Sequence, residues 1–462
     1  MTIPAYSTHA ALRETKVTKR RPRFSASLRP YAPIGVFAAL MVMVVTGRLH
    51  DALLYGKLPI VKIFVLVGAA LFFMSRGMPV LSEVRKTLPA RAFLALTLAV
   101  IASVPFSVLK SWSFELASTW LFASVPMVLL VCTSIRSVAD LERVLKALLL
   151  MILISAAIIF AGRGTSMDSP EGPRLSLAGS YDPNDFAAVI AASSATCLWA
   201  LRGRSWLWKL LGLAGLACSG VLIVKTGSRG GAVALGTLLI GASLFLPKTL
   251  TRSVRLGVLL ALAVGVAQAP SGFSQRMSTL TDVRNDYNLT ATDGRIAVWT
   301  RGLGYVAGSP LVGVGAGAYP VADGRWAVQH GFLGGFKWSA AHNLFIETAA
   351  ELGLPGLVAL LCCLFPIVFT WRRLRELPAR SDEDERLRRA VEAIALTTLT
   401  YLLATMFVNA LYGPMLLTLI SLNIAAHVLV NHSSFASRKA SLPRSRTTKV
   451  FLAQSKPRRA TE

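Results

Sequence analysis

The sequence predicts an all-α integral membrane protein of about twelve transmembrane helices, with one long, partly helical loop between helices nine and ten. Two observations carry that expectation. Of 462 residues, 54% are hydrophobic and only 16% are charged, too few polar groups to clothe a soluble chain of this length. Apolar runs of spanning length also recur from end to end, and a helix satisfies its own backbone hydrogen bonds in lipid where an open sheet does not. A β-barrel is excluded by pattern, because barrels alternate in short segments and these runs are continuous.

Taken in order, the chain opens with a basic tail, 1–30, and the first nine apolar stretches follow within 31–268. They centre on 31–47, 58–75, 88–109, 116–133, 145–161, 186–201, 206–224, 230–246 and 253–268. A loop over 269–341 separates these from three more, within 342–430, at 352–371, 389–408 and 411–430, and a second basic tail covers 431–462. The net charge of +26 suggests nucleic acid at first sight. Its distribution argues against that partner. With twelve spans both termini and alternate loops share one side, and that side holds Arg76, Arg85, Lys86, Arg136, Arg143, Lys146, Arg202, Arg204, Arg372, Arg373 and Arg375. The opposite loops are short and carry one or two basic residues each, apart from the long loop. This asymmetry assigns the basic side to the cytoplasm and the sparse side to the periplasm. The tails are polar and basic, suited to disorder or to anionic headgroups. The first apolar run begins too far into the chain, and without a small-residue cleavage site, for a removed signal peptide. Cys132, Cys197, Cys218, Cys362 and Cys363 all fall within apolar stretches and form no disulfide or metal-ligand spacing. No cofactor or metal set is expected.

The long loop is rich in aromatic residues, including Trp299, Trp326 and Trp338, which suggests a small folded cap. Four polar constellations fall on the same expected outer side. The first is SYDPNDFA, Ser180 to Ala187, where Asp182 and Asn184 read either as a turn and helix cap or as site residues. KTGSRGG, Lys225 to Gly231, places Arg229 in a tight connection on the translocated side, where topology does not account for an arginine. ATDGRIAVW, Ala291 to Trp299, carries Arg295, a solvated loop charge or an anion ligand. SPLVGVGAGAYP, Ser309 to Pro320, lacks the dinucleotide fingerprint and reads equally as a backbone turn under a ligand or as loop packing.

The fourth constellation is AAHNLFIETAAELGLPG. His342 is expected to begin a helix, whose dipole favours the neutral imidazole that a general base requires. Asn343, Glu347 and Glu351 then follow four apart on one face. Ionisable groups at membrane depth ordinarily face a cavity or a partner. Glu351 is also compatible with a purely structural pairing. Arginine forks match phosphate oxygens, and a histidine base deprotonates a hydroxyl. Together they suit attack by an alcohol on a carbon that carries a phosphate leaving group. Outside the cytoplasm nucleotides are lacking, so that leaving group would be a lipid diphosphate.

HNLFIETAAELGLPGL, with GVGAGAY and TGSRGG upstream, resembles the O-antigen ligase and lipid-linked sugar polymerase superfamily, most clearly over about 180–370. The resemblance implies metal-independent transfer of a glycan from undecaprenyl diphosphate to a hydroxyl, at the periplasmic face of the bacterial inner membrane. It implies that Arg229 and Arg295 hold the diphosphate and that His342 is catalytic, with Arg284 and Arg301 as neighbouring candidates for the second arginine. Asp182, Asn184, Asn343, Glu347 and Glu351 are supporting residues. Three functions are weighed. A ligase joins the glycan to lipid A–core, a polymerase joins lipid-linked repeats to each other, and a transporter moves the lipid-linked sugar. The single long loop favours the ligase, whereas the DPND element resembles exopolysaccharide-associated members and keeps the polymerase open. The clustering of polar groups at one surface disfavours a transporter. Expected partners are the lipid-linked donor, the lipid A–core acceptor and membrane lipids; self-association is not legible.

Overall fold

The structure, a computed structural model, describes residues 31–54, 58–167, 173–177, 181–245, 294–332 and 338–435, with a few single positions besides. It is mostly helical. In order come α1 (Ala32–Thr46), α2 (Leu49–Leu54), α3 (Ile60–Met74), α4 (Gly77–Val84) and α5 (Leu88–Ser103). Next are α6 (Lys110–Thr119), α7 (Val125–Ser134) and α8 (Val138–Ile158). A short antiparallel hairpin, β1 (Gly164–Met167) and β2 (Arg174–Leu177), leads to α9 (Pro183–Leu201), α10 (Trp206–Thr226) and α11 (Arg229–Phe245). After the long connection come α12 (Arg295–Gly308) and α13 (Tyr319–Gln329), then α14 (Leu344–Leu364), α15 (Pro366–Glu376), α16 (Asp382–Ala404) and α17 (Pro414–His432).

Among the described residues, seven helices are long and apolar enough to cross a membrane, or eight if the bent pair α3–α4 is one span. α6 and α7 join through a wide turn at Trp120–Ser124 into one such helix, and α14 and α15 form another. The expected twelve is therefore not what length and composition yield. α1 and α11 are apolar but short, α16 opens on Asp382, Glu383, Asp384 and Glu385, and α3 meets α4 at 101°. The ninth expected stretch, 253–268, lies outside the described residues, as do nearly all of the tails and the first part of the long loop.

α9 and α17 are the most deeply enclosed of the long helices. α9 runs AAVIAASSATC through its middle, and small residues let helices approach closely where lipid supplies no hydrophobic drive. A Cβ on Gly212 or Gly215 of α10 would meet Cys197 of α9 at 2.8 and 2.7 Å. At one end of the bundle the basic residues act as staples. The Arg386 guanidinium donates twice to Glu142, at 3.0 and 2.6 Å. Arg202 pairs with Glu392, and Arg136 donates to the Ser75 carbonyl at 2.7 Å. The other end gathers the hairpin, the α10–α11 turn, α12, α13 and residues 405–413.

Candidate active site at the polar end of the bundle

Four segments distant in the sequence meet at this end. The α9 segment is fixed first. Asp182 is the N-cap, its Oδ1 accepting from the Asn184 N–H at 2.8 Å. Asn184 Oδ1 accepts in turn from Arg174 of β2 at 2.7 Å, and the same guanidinium donates to the Thr226 carbonyl at 2.9 Å. One arginine thus binds the DPND element to the turn that leads to Arg229. Asp182 and Asn184 take the turn-and-cap reading and anchor the local architecture. Arg229 opens α11 and is half-exposed; the Ser228 hydroxyl caps that helix through the Gly231 N–H at 3.2 Å.

Phe407, in the turn between α16 and α17, is where the segments converge. A Cβ on Gly230, next to Arg229, would lie 3.1 Å from the Phe407 ring. The Arg295 guanidinium stands over the same ring at 5.7 Å. Trp299, one turn along α12, lies 6.5 Å from it and donates through Nε1 to the Ala341 carbonyl at 2.9 Å. Arg229 and Arg295 therefore belong to segments that meet Phe407, and the segment of His342 joins them through Trp299 and through Asn409 of the same turn.

His342 does not begin the helix as expected. The N-cap of α14 is Asn343, whose Oδ1 accepts from the Phe345 and Ile346 N–H groups at 3.0 and 3.2 Å. His342 stands one residue earlier in the left-handed region, φ +46°, a conformation uncommon outside glycine and concentrated at sites held by their surroundings. Its N–H donates to Asn409 Oδ1 at 2.7 Å. The side chain is half-exposed, suited to meet a reactant.

Glu347 and Glu351 are buried supports. Glu347 Oε2 accepts from the Ala410 and Leu411 N–H groups at 3.0 and 3.3 Å, holding the 405–413 turn against α14. Glu351 accepts from the Gly317 and Tyr319 N–H groups and from the Tyr412 hydroxyl, at 2.7, 3.2 and 2.8 Å. Burial and then the Glu351 carboxylate push the Tyr412 phenol up, so it stays a neutral donor. The glycine-rich segment takes the packing reading. The Val314 and Gly315 N–H groups donate to the Ala350 and Glu351 carbonyls at 2.8 and 3.1 Å. Gly315 has φ +108°, and a Cβ there would meet Ser107 Oγ at 2.2 Å.

Of the arginines flanking Arg295, Arg284 lies outside the described residues. Arg301 is committed elsewhere: its Nε donates to Asp323 Oδ1 at 2.6 Å, with both side chains buried, and its guanidinium covers Trp326 at 4.6 Å. The same carboxylate accepts from the Ser339 N–H at 3.0 Å. Beside it, burial and then the Asp323 charge push the Tyr305 phenol up to about 12. This is a structural knot binding α12 to α13. It leaves Arg295 as the half-exposed arginine of this helix nearest Phe407. Sequence reasoning missed Phe407 and Asn409, and took Trp299 only as part of an aromatic cap. The signal lay in Gly413-Pro414, the N-cap and first residue of α17, which marks the stretch before it as a connection and not the edge of two spans. No group of three or more acidic, histidine or cysteine side chains suited to a metal occurs among the described residues.

The fold defines a multi-pass helical membrane protein, with an arginine- and histidine-bearing candidate site at one end of the bundle. Residues 214–361 match the family model described as O-Antigen ligase, and the match supports the O-antigen ligase superfamily. The matched segment is under half of the chain; it contains Arg229, Arg295, His342 and both glutamates, but neither the DPND element nor Phe407. No curated protein matches the chain. The family points to a ligase- or polymerase-type, glycosyltransferase-like activity involving lipid-linked glycan.

Proposed function

We propose that the chain is an inner-membrane glycosyltransferase that moves an O-antigen glycan from undecaprenyl diphosphate to a sugar hydroxyl of lipid A–core, at the periplasmic face. The observation that carries the reading is that the Arg229 and Arg295 segments meet at Phe407 while the His342 segment joins the same 405–413 turn through Asn409. Arg229 and Arg295 hold the donor diphosphate through forked hydrogen bonds that strengthen as its charge develops. His342 takes the proton of the acceptor hydroxyl. The acceptor oxygen bonds to the anomeric carbon as the carbon–oxygen bond to the diphosphate breaks, and the electron pair leaves with the phosphate. A single displacement of this kind inverts the anomeric configuration. The arginines supply the charge neutralisation that a metal supplies elsewhere, so the transfer is metal-independent.

The test is transfer by the purified protein with lipid-linked donor and lipid A–core acceptor, EDTA present. Transfer with inversion is expected; no transfer, or transfer that depends on added divalent metal, overturns the reading. The DPND element favours a second reading, polymerisation of lipid-linked repeats. A deletion strain separates the two. Uncapped core with long lipid-linked chains marks a ligase; single lipid-linked repeats, with capped core carrying one repeat at most, mark a polymerase.

A further inference from the structure

The 405–413 turn presents Phe407 to Arg295 and presents Asn409 to a cavity of about 250 Å³. Arg48, Tyr181, Asp185, Glu347, Tyr401 and Asn409 are in its wall. Recessed polar groups are ordinarily paired within the protein, and here several retain unused capacity. Among the described residues, no hydrogen bond or ion pair engages the Asp185 carboxylate, the Tyr401 hydroxyl, Asn409 Nδ2 or Glu347 Oε1. The Arg48 guanidinium rests over the Tyr181 ring at 4.6 Å. The residues come from four well-separated stretches: the turn after α1, the start of α9, the start of α14, and the end of α16 with its following turn. A convergence of that kind is built by the tertiary fold and not by a local motif.

The chemistry of the wall is specific. It offers carboxylate acceptors, guanidinium and amide donors, a hydroxyl that does either, and tyrosine faces. Sugar hydroxyls both donate and accept in fixed directions, while the ring's C–H faces lie on aromatic surfaces. A simple anion meets two carboxylates here, and an apolar ligand leaves every polar group unpaired. The volume falls below the range of about 300–1,000 Å³ typical of drug-sized ligands, room for one sugar ring.

We propose that this cavity binds one sugar residue of the acceptor glycan and presents its hydroxyl towards His342. The assignment to the acceptor rests on the transfer reading above. In that reading the diphosphate lies on the Phe407 side, and His342 adjoins the cavity through its N–H on the wall residue Asn409. Asp185 and Tyr401 are then specificity-determining residues for the acceptor.

The experiment uses the purified full chain and its Asp185→Asn and Tyr401→Phe variants. The second removes a single hydroxyl, and matching gel-filtration profiles establish folding. The probe is delipidated core oligosaccharide, its binding followed by saturation-transfer NMR; the same oligosaccharide is then the acceptor in kinetics with lipid-linked donor. Each variant is expected to weaken oligosaccharide binding, and to raise acceptor KM, by about 10- to 100-fold, the range for a lost hydrogen bond to a charged or well-placed group. Donor KM is expected to stay unchanged. Unaltered binding in both folded variants overturns the proposal, and so does a change confined to donor KM. Oligosaccharide binding that is lost in the variants of an enzyme transferring nothing retains a saccharide site and refutes the transfer reading. Normal transfer with unmoved acceptor KM does the reverse.

Discussion

At position 342 the backbone is held in place by its neighbours. A non-glycine residue at φ +46° is held there by its N–H on Asn409 and by Asn343 capping the helix behind it. This makes His342→Asn a clean substitution. Asparagine tolerates the left-handed region better than most residues, and Asn343, which remains, already does the capping. If the imidazole is the base, His342→Asn lowers the transfer rate by about 10²–10⁴-fold with insertion and donor binding retained; activity near the parent's removes the base role. The arginines separate in the same manner. Arg229→Lys keeps the charge and loses the planar fork. The expected loss is about 2–4 kcal/mol of barrier stabilisation, a fall of roughly 30- to 1,000-fold. A stably expressed Arg229→Ala that transfers glycan normally ends the diphosphate assignment.

Among the elements, α12 and α13 are joined by a buried ion pair as well as by the Tyr319 hydroxyl on the Val298 carbonyl at 2.6 Å. Arg301 and Asp323 are both buried, and Asp323 also holds the Ser339 N–H that leads to His342. Removing one partner of such a pair strands the other's charge at about 3–5 kcal/mol. Asp323→Ala is therefore expected to open this cap to limited proteolysis and to lower the unfolding temperature, whereas Arg295→Ala leaves both unchanged and affects transfer alone. Equal protease resistance in Asp323→Ala and the parent refutes the knot. The knot was not legible beforehand, since a pair 22 residues apart leaves no periodic trace. The transmembrane helices were legible because a continuous apolar run is a local property. The same property hid the 405–413 turn: Met406, Phe407, Val408, Ala410 and Leu411 prolong the apolar pattern across a connection. Nor does apolar content alone reveal that α1 is short or that α3 bends into α4. His342, Arg229 and Arg295 stood out because a polar group beside a membrane helix is costly wherever it serves nothing. What they pack against is a tertiary property.

The whole molecule has two unlike ends, and its arginines behave differently at each. At the basic end they pair with carboxylates between helices, as Arg386 does with Glu142 and Arg204 with Asp382 at 2.7 Å. At the other end they serve local architecture or the candidate site, as Arg174 does for Asn184 and Thr226 and Arg48 for Tyr181. Cations left on a translocated side work against the charge bias that orients a membrane protein, so each calls for a use there, and these have one. The proposed orientation puts the site in the periplasm. A cysteine at Gln329, exposed at the end of α13, is expected to label with a membrane-impermeant maleimide in cells whose outer membrane is permeabilised. One at Ser381, exposed before α16, is expected to label only after lysis. The five native cysteines are buried or half-buried in helices, so their background is low. The opposite pattern places His342 and the arginines in the cytoplasm, where nucleotide-activated sugars are at hand. A lipid diphosphate is then no longer required as the leaving group, even if every residue-scale prediction holds.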